Sequence, residues 1–202
     1  LHIIVLTLRR TVSYNPRRIA PNVWVYPTNS RSPLFAVYDA YRIARKQMAF
    51  AAGFRADIIV ATDAFETGIA AYAIARRYAR PIQLQVSMNP FEPEYAREHP
   101  GNKWRALAAR FVIPRAECLI ARSQHLAEVF EKRYRGIQAR VTVLPLFRNL
   151  ASFRDSAPAF DLHERYPRLK FIILVISRMD TRSQIDRAVT VCIPILQQYP
   201  TI

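Results

Sequence analysis

Two carboxylates three residues apart, Asp63 and Glu66, stand in the segment ATDAFETG (61–68), directly after an apolar run. At that spacing Asp63 can accept hydrogen bonds from the first N–H groups of a helix while Glu66 reaches back to the entering chain. A helix start of this kind, with Thr67 beside the carboxylates, also suits an anion or a hydroxylated substrate. Gly68 would let a ligand or the neighbouring sheet approach closely. A plain helix cap and a binding site can coexist here. Three further apolar runs end in polar groups. Ser87 and Asn89 follow 82–86, and the prolines of MNPFEPEY (88–95) are expected to keep the next loop irregular. Ser123 follows CLIAR (118–122) and is a good N-cap. Arg178 follows FIILVIS (171–177), where a guanidinium can reach a phosphate. Neither the histidines (His2, His99, His125, His163) nor the cysteines (Cys118, Cys192) have metal-ligand spacing, which argues against zinc. The cysteines read as small core residues in a reducing compartment.

These positions matter because of the elements that would deliver them. The runs HIIVL (2–6), NVWVYP (22–27), DIIVAT (57–62), IQLQVS (82–87), CLIAR (118–122), VTVLP (141–145) and FIILVIS (171–177) are continuous rather than alternating. Parallel strands covered on both faces read in this way. Helical patterns lie between them, at 36–52, 66–79, 102–113, about 124–134 and 185–199. In the first, Val37, Tyr41, Ala44, Met48 and Ala51 are expected to face the core. In the third, Trp104, Leu107, Ala108, Phe111 and Val112 are expected to do so. Strand–helix alternation predicts an α/β fold, a Rossmann-like, doubly wound parallel sheet. In such sheets ligands bind beyond the carboxyl ends of the strands, which is where the polar residues above fall.

The chain has 202 residues, of which 51% are apolar and 22% charged, enough to build a core. Its longest uncharged run, 188–202, holds Pro194, Gln197, Gln198 and Pro200, so a membrane span is not predicted. Thirty basic residues against fifteen acidic ones give a net charge of +15. The excess is concentrated in residues 1–55 (+8) and 99–148 (+7), around a mildly acidic 56–98 (−2). Two basic stretches suggest an anionic partner: nucleic acid, lipid headgroups or phosphorylated substrates. Nucleic acid ranks last, because no recognition motif or interleaving of aromatics with the bases accompanies the charge.

Residues 1–150 are expected to form one domain, 151–168 a polar linker and 169–202 the opening of a second domain. One strand and one helix cannot bury a sheet face alone, so the last segment is expected to expose apolar surface. The first residue is Leu1 and the chain enters directly on a strand. The sequence reads as a piece cut at both ends.

The order DIIVATDAFETG, PIQLQV, ECLIARSQHL, VTVLPLF, FIILVISRMDTRSQIDRAV resembles the retaining glycosyltransferases of family 4 (group 1), which have the GT-B fold. The likeness spans about 56–199. The stretch ending in Ser123, the segment VTVLPLFRNLASF and the run FIILVISRMD each resemble a motif of that family. The resemblance implies two facing Rossmann-like domains, an N-terminal acceptor side and a C-terminal donor side. It implies a nucleotide-sugar donor, a glycan or lipid-linked acceptor, and no obligatory cofactor or metal. Its location would be cytoplasmic, with peripheral contact at the anionic inner membrane face. Arg178 matches the family's donor-phosphate arginine, and Arg182 is the cation nearest the position of the partner lysine, which is Ser183 here. Asp63, Glu66, Thr67, Gly68, Ser87, Asn89 and Ser123 would line the acceptor side. Ser87 replaces a frequent histidine, and Asn149 stands at the linker aspartate. These departures support a second hypothesis, a non-catalytic α/β domain that binds an anionic membrane surface or nucleic acid.

Overall fold

From the N-terminus the elements are β1 (His2–Val5), β2 (Arg17–Ala20), β3 (Val23–Pro27), α1 (Pro33–Phe50), β4 (Ile59–Ala61), α2 (Glu66–Tyr78), β5 (Ile82–Val86), α3 (Pro93–Glu98) and α4 (Gly101–Val112). A turn of 3-10 helix (Ile113–Arg115) leads to β6 (Cys118–Ala121), α5 (Gln124–Arg133), β7 (Arg140–Val143), α6 (Ala151–Arg154), α7 (Leu162–Arg165) and α8 (Ile185–Gln198). This computed structural model describes residues 1–9, 13–50, 54–134, 140–145, 147, 149–154, 160–169, 172–176 and 185–198. The chain divides into two compact units, Leu1–Phe147 and Arg148–Ile202.

The first unit is mixed α/β. Its main sheet is fully parallel, in the order β4-β5-β6-β7, flanked by helices as a Rossmann-like domain requires. Strand order follows chain order, so each crossover steps the same way. The right-handed rule then places α2, α4 and α5 on one face. That face is the core. The cross-strand row Ala61, Leu84, Leu119, Val141 points into it, and Leu84 and Leu119 are wholly buried. The row beside it, Val60, Gln83, Cys118, points the other way and stays partly open. Val112, Ile113 and Phe130 close the core from the helix side at 0% exposure.

A smaller sheet has the order β1-β3-β2, with β1 parallel and β2 antiparallel to β3. Sequence reading missed β2. Its residues, RRIA, are all exposed, so no apolar pattern marks it. It forms because a tight turn at Pro21–Asn22 folds it back on β3, and the Arg18 guanidinium holds the turn through the Ala20 and Pro21 carbonyls. Among the described residues, each of β1 and β4 keeps one edge unpaired. A cavity of about 380 Å³ is lined by both strands and floored by small residues of α1 (Ala40, Ala44) and α2 (Ala70, Ala71).

Four local expectations need correcting. The buried stripe of α1 is Ala36, Ala40 and, as expected, Ala44, with Val37, Tyr41 and Met48 only half-buried beside it; Ala51 lies outside the described residues. Alanines four apart let α1 lie close against the Ala-rich α2, and this close packing decides the face. On α4 the reversal is larger: of the expected stripe only Val112 is buried, together with Asn102 and Ala109, while Ala108 is half-buried and Trp104, Leu107 and Phe111 face solvent. The loop after β5 contains α3, with Pro93 in the first turn, where its missing N–H leaves no bond unmade. Finally, residues 172–176 form no strand, and Ile173, Leu174, Val175 and Ile176 stand exposed. A strand needs a neighbouring backbone, and the described residues of the second unit offer none.

Within that second unit Asp161 caps α7 by accepting from His163 N at 2.8 Å, and Asn149 accepts from Ala151 N at 3.0 Å. No residue of α8 is buried. Among the described residues no helix is long and apolar enough to cross a membrane.

Candidate functional site

The carboxyl ends of β4, β5 and β6 lead into segments that begin Thr62–Asp63, Ser87 and Arg122–Ser123. Asp63 organises the first of them. Its Oδ1 accepts from Phe65 N at 2.7 Å and from Thr67 N at 3.2 Å, meeting donors that α2 leaves without intrahelical partners. Thr67 Oγ1 accepts from Asp63 N at 3.1 Å, which locks the turn from the other side. Both side chains are therefore engaged within their own loop.

Glu66 does not reach back to close a capping box. Its Oε1 instead accepts from Arg105 Nε on α4 at 2.8 Å. Burial works against the Arg105 charge, but the Glu66 carboxylate and, to a lesser extent, Tyr95 together more than offset it, so the guanidinium pKa is raised above its ordinary value. Behind the pair, Asn102 is 1% exposed; its Nδ2 donates to the Tyr95 carbonyl at 2.7 Å, and its Oδ1 accepts from Arg105. Tyr95 is itself buried and stacks on Phe65, ring centroids 5.8 Å apart. The first turn of α2, α3 and the first turn of α4 are thus tied into one polar and aromatic wall. Arg105, Asn102 and Tyr95 escaped sequence reading. Arg105 lies 39 residues from its partner, and nothing in the local pattern separates it from other basic residues on α4.

Gly68 makes room for its own loop and for α4 rather than for an open cleft. A Cβ there would lie 2.8 Å from Asp63 O and 3.2 Å from Val112 Cγ1. Ser87 is exposed at the exit of β5 and its hydroxyl has no hydrogen-bond partner among the described residues. Asn89 is half-buried and accepts from Phe91 N at 3.1 Å, a local turn. Ser123 caps α5, accepting from Leu126 N at 3.3 Å, and remains exposed. Asp63, Glu66, Thr67, Ser87 and Ser123 therefore lie at or just after the carboxyl ends of three adjacent strands. Arg178, Arg182 and Ser183 lie outside the described residues. Among the described residues no group of three or more His, Cys, Asp or Glu could hold a metal ion.

A parallel sheet with hydroxyls and a held carboxylate along its carboxyl edge fits many chemistries. The deciding observation is that residues 3–146 match the glycosyl transferase 4-like domain. The chain belongs to the glycosyl transferase 4-like family. The matched span coincides closely with the first structural unit, Leu1–Phe147. Comparison with curated proteins gives no match. Membership of the glycosyl transferase 4-like family supports glycosyl transfer in general, with a sugar donor and an acceptor as the partner classes.

Proposed function

We propose that residues 1–150 are the acceptor side of a retaining, nucleotide-sugar-dependent glycosyltransferase of family 4, group 1, and that 151–168 link it to a donor side opening at 169. The observation that carries this reading is the family match over the whole first unit, with Asp63, Glu66, Ser87 and Ser123 along the carboxyl edge of its parallel sheet. In this reading the edge binds a glycan or lipid-linked sugar through hydrogen bonds. Ser87 and Ser123 offer exposed hydroxyls, and the Glu66–Arg105 pair stiffens the wall behind them. Arg178 and Arg182 would meet the donor diphosphate, so that leaving-group charge faces fixed cations and no metal is required. The protein would work in the cytoplasm, touching the anionic inner membrane face when its acceptor is lipid-linked.

The test has two parts. Oligosaccharides and prenyl-diphosphate-linked sugars are titrated into the labelled chain, and amide shifts are expected at 62–68, 87–89 and 122–123. Shifts confined to other surfaces sink the acceptor assignment. Sugar transfer from a panel of nucleotide sugars is then measured, with the anomeric configuration of the product read by NMR; an inverted product rules out the retaining assignment.

A second reading has its own support in Ser87, Asn149 and Ser183, which replace residues expected in the resembling enzymes. It makes the chain a non-catalytic α/β domain for an anionic partner. Asn149 accepts from Ala151 N in the turn that enters α6, which a structural role would explain. Donor-dependent turnover of any sugar nucleotide eliminates this reading.

A further inference from the structure

The outward face of α4 is apolar where solvent would favour polar residues. Trp104 is 75% exposed, Leu107 54% and Phe111 44%, at positions i, i+3 and i+7 of one helix face. Lys103 and Arg110 flank the stripe, both exposed. Single exposed apolar residues are ordinary, but a row of this size with basic borders marks an interaction surface.

The stripe continues into a pocket of about 510 Å³ at the opposite end of the sheet from Asp63, where β5 and β6 begin. Phe111 joins the two. Tyr72, in the pocket wall, meets the Phe111 ring edge-on at 5.1 Å, and the Arg115 guanidinium lies over the same ring at 3.9 Å. Arg76, Arg80 and Arg115 line the pocket, and none of them is in an ion pair among the described residues. Arg76 donates to the Tyr72 hydroxyl at 3.2 Å. That hydrogen bond and the charges of Arg76 and Arg115 lower the Tyr72 pKa. The single acid of the pocket, Glu117, is taken up by Ile82 N at 2.6 Å. Three guanidinium groups beside an apolar stripe match one kind of surface well. Phosphate oxygens take the guanidiniums, and the headgroup–acyl boundary takes Trp, Leu and Phe.

We infer that α4 and the arginine pocket form a docking surface for an anionic phospholipid bilayer, with Trp104, Leu107 and Phe111 entering the interface and Arg76, Arg80 and Arg115 holding a lipid phosphate. This rests on the part of the proposed function that sets the protein at a membrane, and it names the face. Sugar transfer to a soluble acceptor without vesicle binding would refute the docking surface alone. Vesicle binding without transfer would refute the enzyme reading alone.

The test is flotation of the 202-residue chain with vesicles of phosphatidylcholine, or of phosphatidylcholine with phosphatidylglycerol. Binding is expected only to the second. In Trp24→Phe the remaining tryptophan, Trp104, is expected to shift its emission to the blue on binding. Trp104→Ser with Leu107→Ser, and separately Arg76→Gln with Arg80→Gln, are each expected to weaken binding about tenfold or more. Arg42→Gln with Arg45→Gln, an equal loss of two charges at exposed positions of α1, is expected to change it far less. All the replaced side chains are at least partly exposed, so the variants should keep the wild-type thermal midpoint; Trp104→Ser alone is the fallback if the pair does not.

Equal binding to both vesicle types overturns the proposal. So does anionic-vesicle binding in which Trp104 emission stays unshifted, or which the Arg42→Gln, Arg45→Gln pair weakens as much as the Arg76→Gln, Arg80→Gln pair does. Inorganic phosphate binding at the pocket without vesicle binding identifies a free-phosphate site instead. Binding to an acidic protein but to neither vesicle points to a protein partner, and also overturns it.

Discussion

A methyl group at position 68 has no room. It would press on the Asp63 carbonyl at 2.8 Å, and backbone cannot swing aside as a flexible side chain can. Gly68→Ala is therefore expected to destabilise the chain by about 1–2 kcal/mol, because overpacking outweighs the helix-propensity gain of alanine. Chemical denaturation reads this directly, and a raised midpoint would show that α2 has slack against α4. Titration gives a second residue-level prediction. Burial raises the Tyr134 pKa above the ordinary 10.0, while the charges of Arg133 and Arg110 pull it partly back. A raised value means that the folded state holds the proton more tightly. The stabilisation is full below the unfolded pKa and is lost as pH rises through the folded one. Unfolding free energy should therefore fall as pH climbs above about 10. Tyr134→Phe should flatten part of that decline, and Tyr26, also raised by burial, accounts for another part. Urea midpoints across this range decide it; a decline unchanged in Tyr134→Phe removes Tyr134 as a cause.

At the scale of elements, α4 separates what periodicity can show from what it cannot. Its two faces predict opposite mutational outcomes. Val112→Ala, at 0% exposure, should cost about 2–3 kcal/mol in lost burial and cavity, while Trp104→Ala should change stability by less than about 0.5 kcal/mol. Comparable losses at both positions would show that Trp104 is packed in solution, as the stripe read from the sequence requires. Strand and helix positions in 57–134 were legible because long apolar runs and Ala-rich helices leave little choice of period. The buried face of α4 was legible only at Val112, because the residues buried with it, Asn102 and Ala109, are polar or small. The larger apolar residues advertised the wrong side. Strand β2 was invisible for a related reason: an exposed edge strand of two arginines, a lone isoleucine and an alanine carries no burial signal. Among the site residues, Asp63 and Ser123 were legible as caps because capping is local chemistry. The Glu66–Arg105 pair was not, because contacts between helices depend on packing angles that no short window contains.

Across the whole molecule, burial is distributed unevenly. Every buried hydrophobic residue among those described falls between Tyr26 and Phe130, and the central cluster of eighteen spans Ala61 to Phe130. The second unit holds the reverse. Ile173 to Ile176 and the α8 residues Val189, Val191, Ile193, Ile195 and Leu196 are all exposed. Apolar area that remains in water contributes nothing to folding and drives association instead. Residues 1–147 alone should therefore unfold in one cooperative transition with nearly the full-chain midpoint. The full chain should bind a hydrophobic dye such as ANS and sediment with concentration-dependent association, and the shortened form should do both less. Calorimetry and sedimentation velocity on the two forms test this together. If 1–147 melts well below the full chain, the second unit supports the first, and the exposed stretch is buried in solution. If both forms associate equally, the sticky surface belongs to the first unit, and the Trp104 face of α4 becomes the place to look.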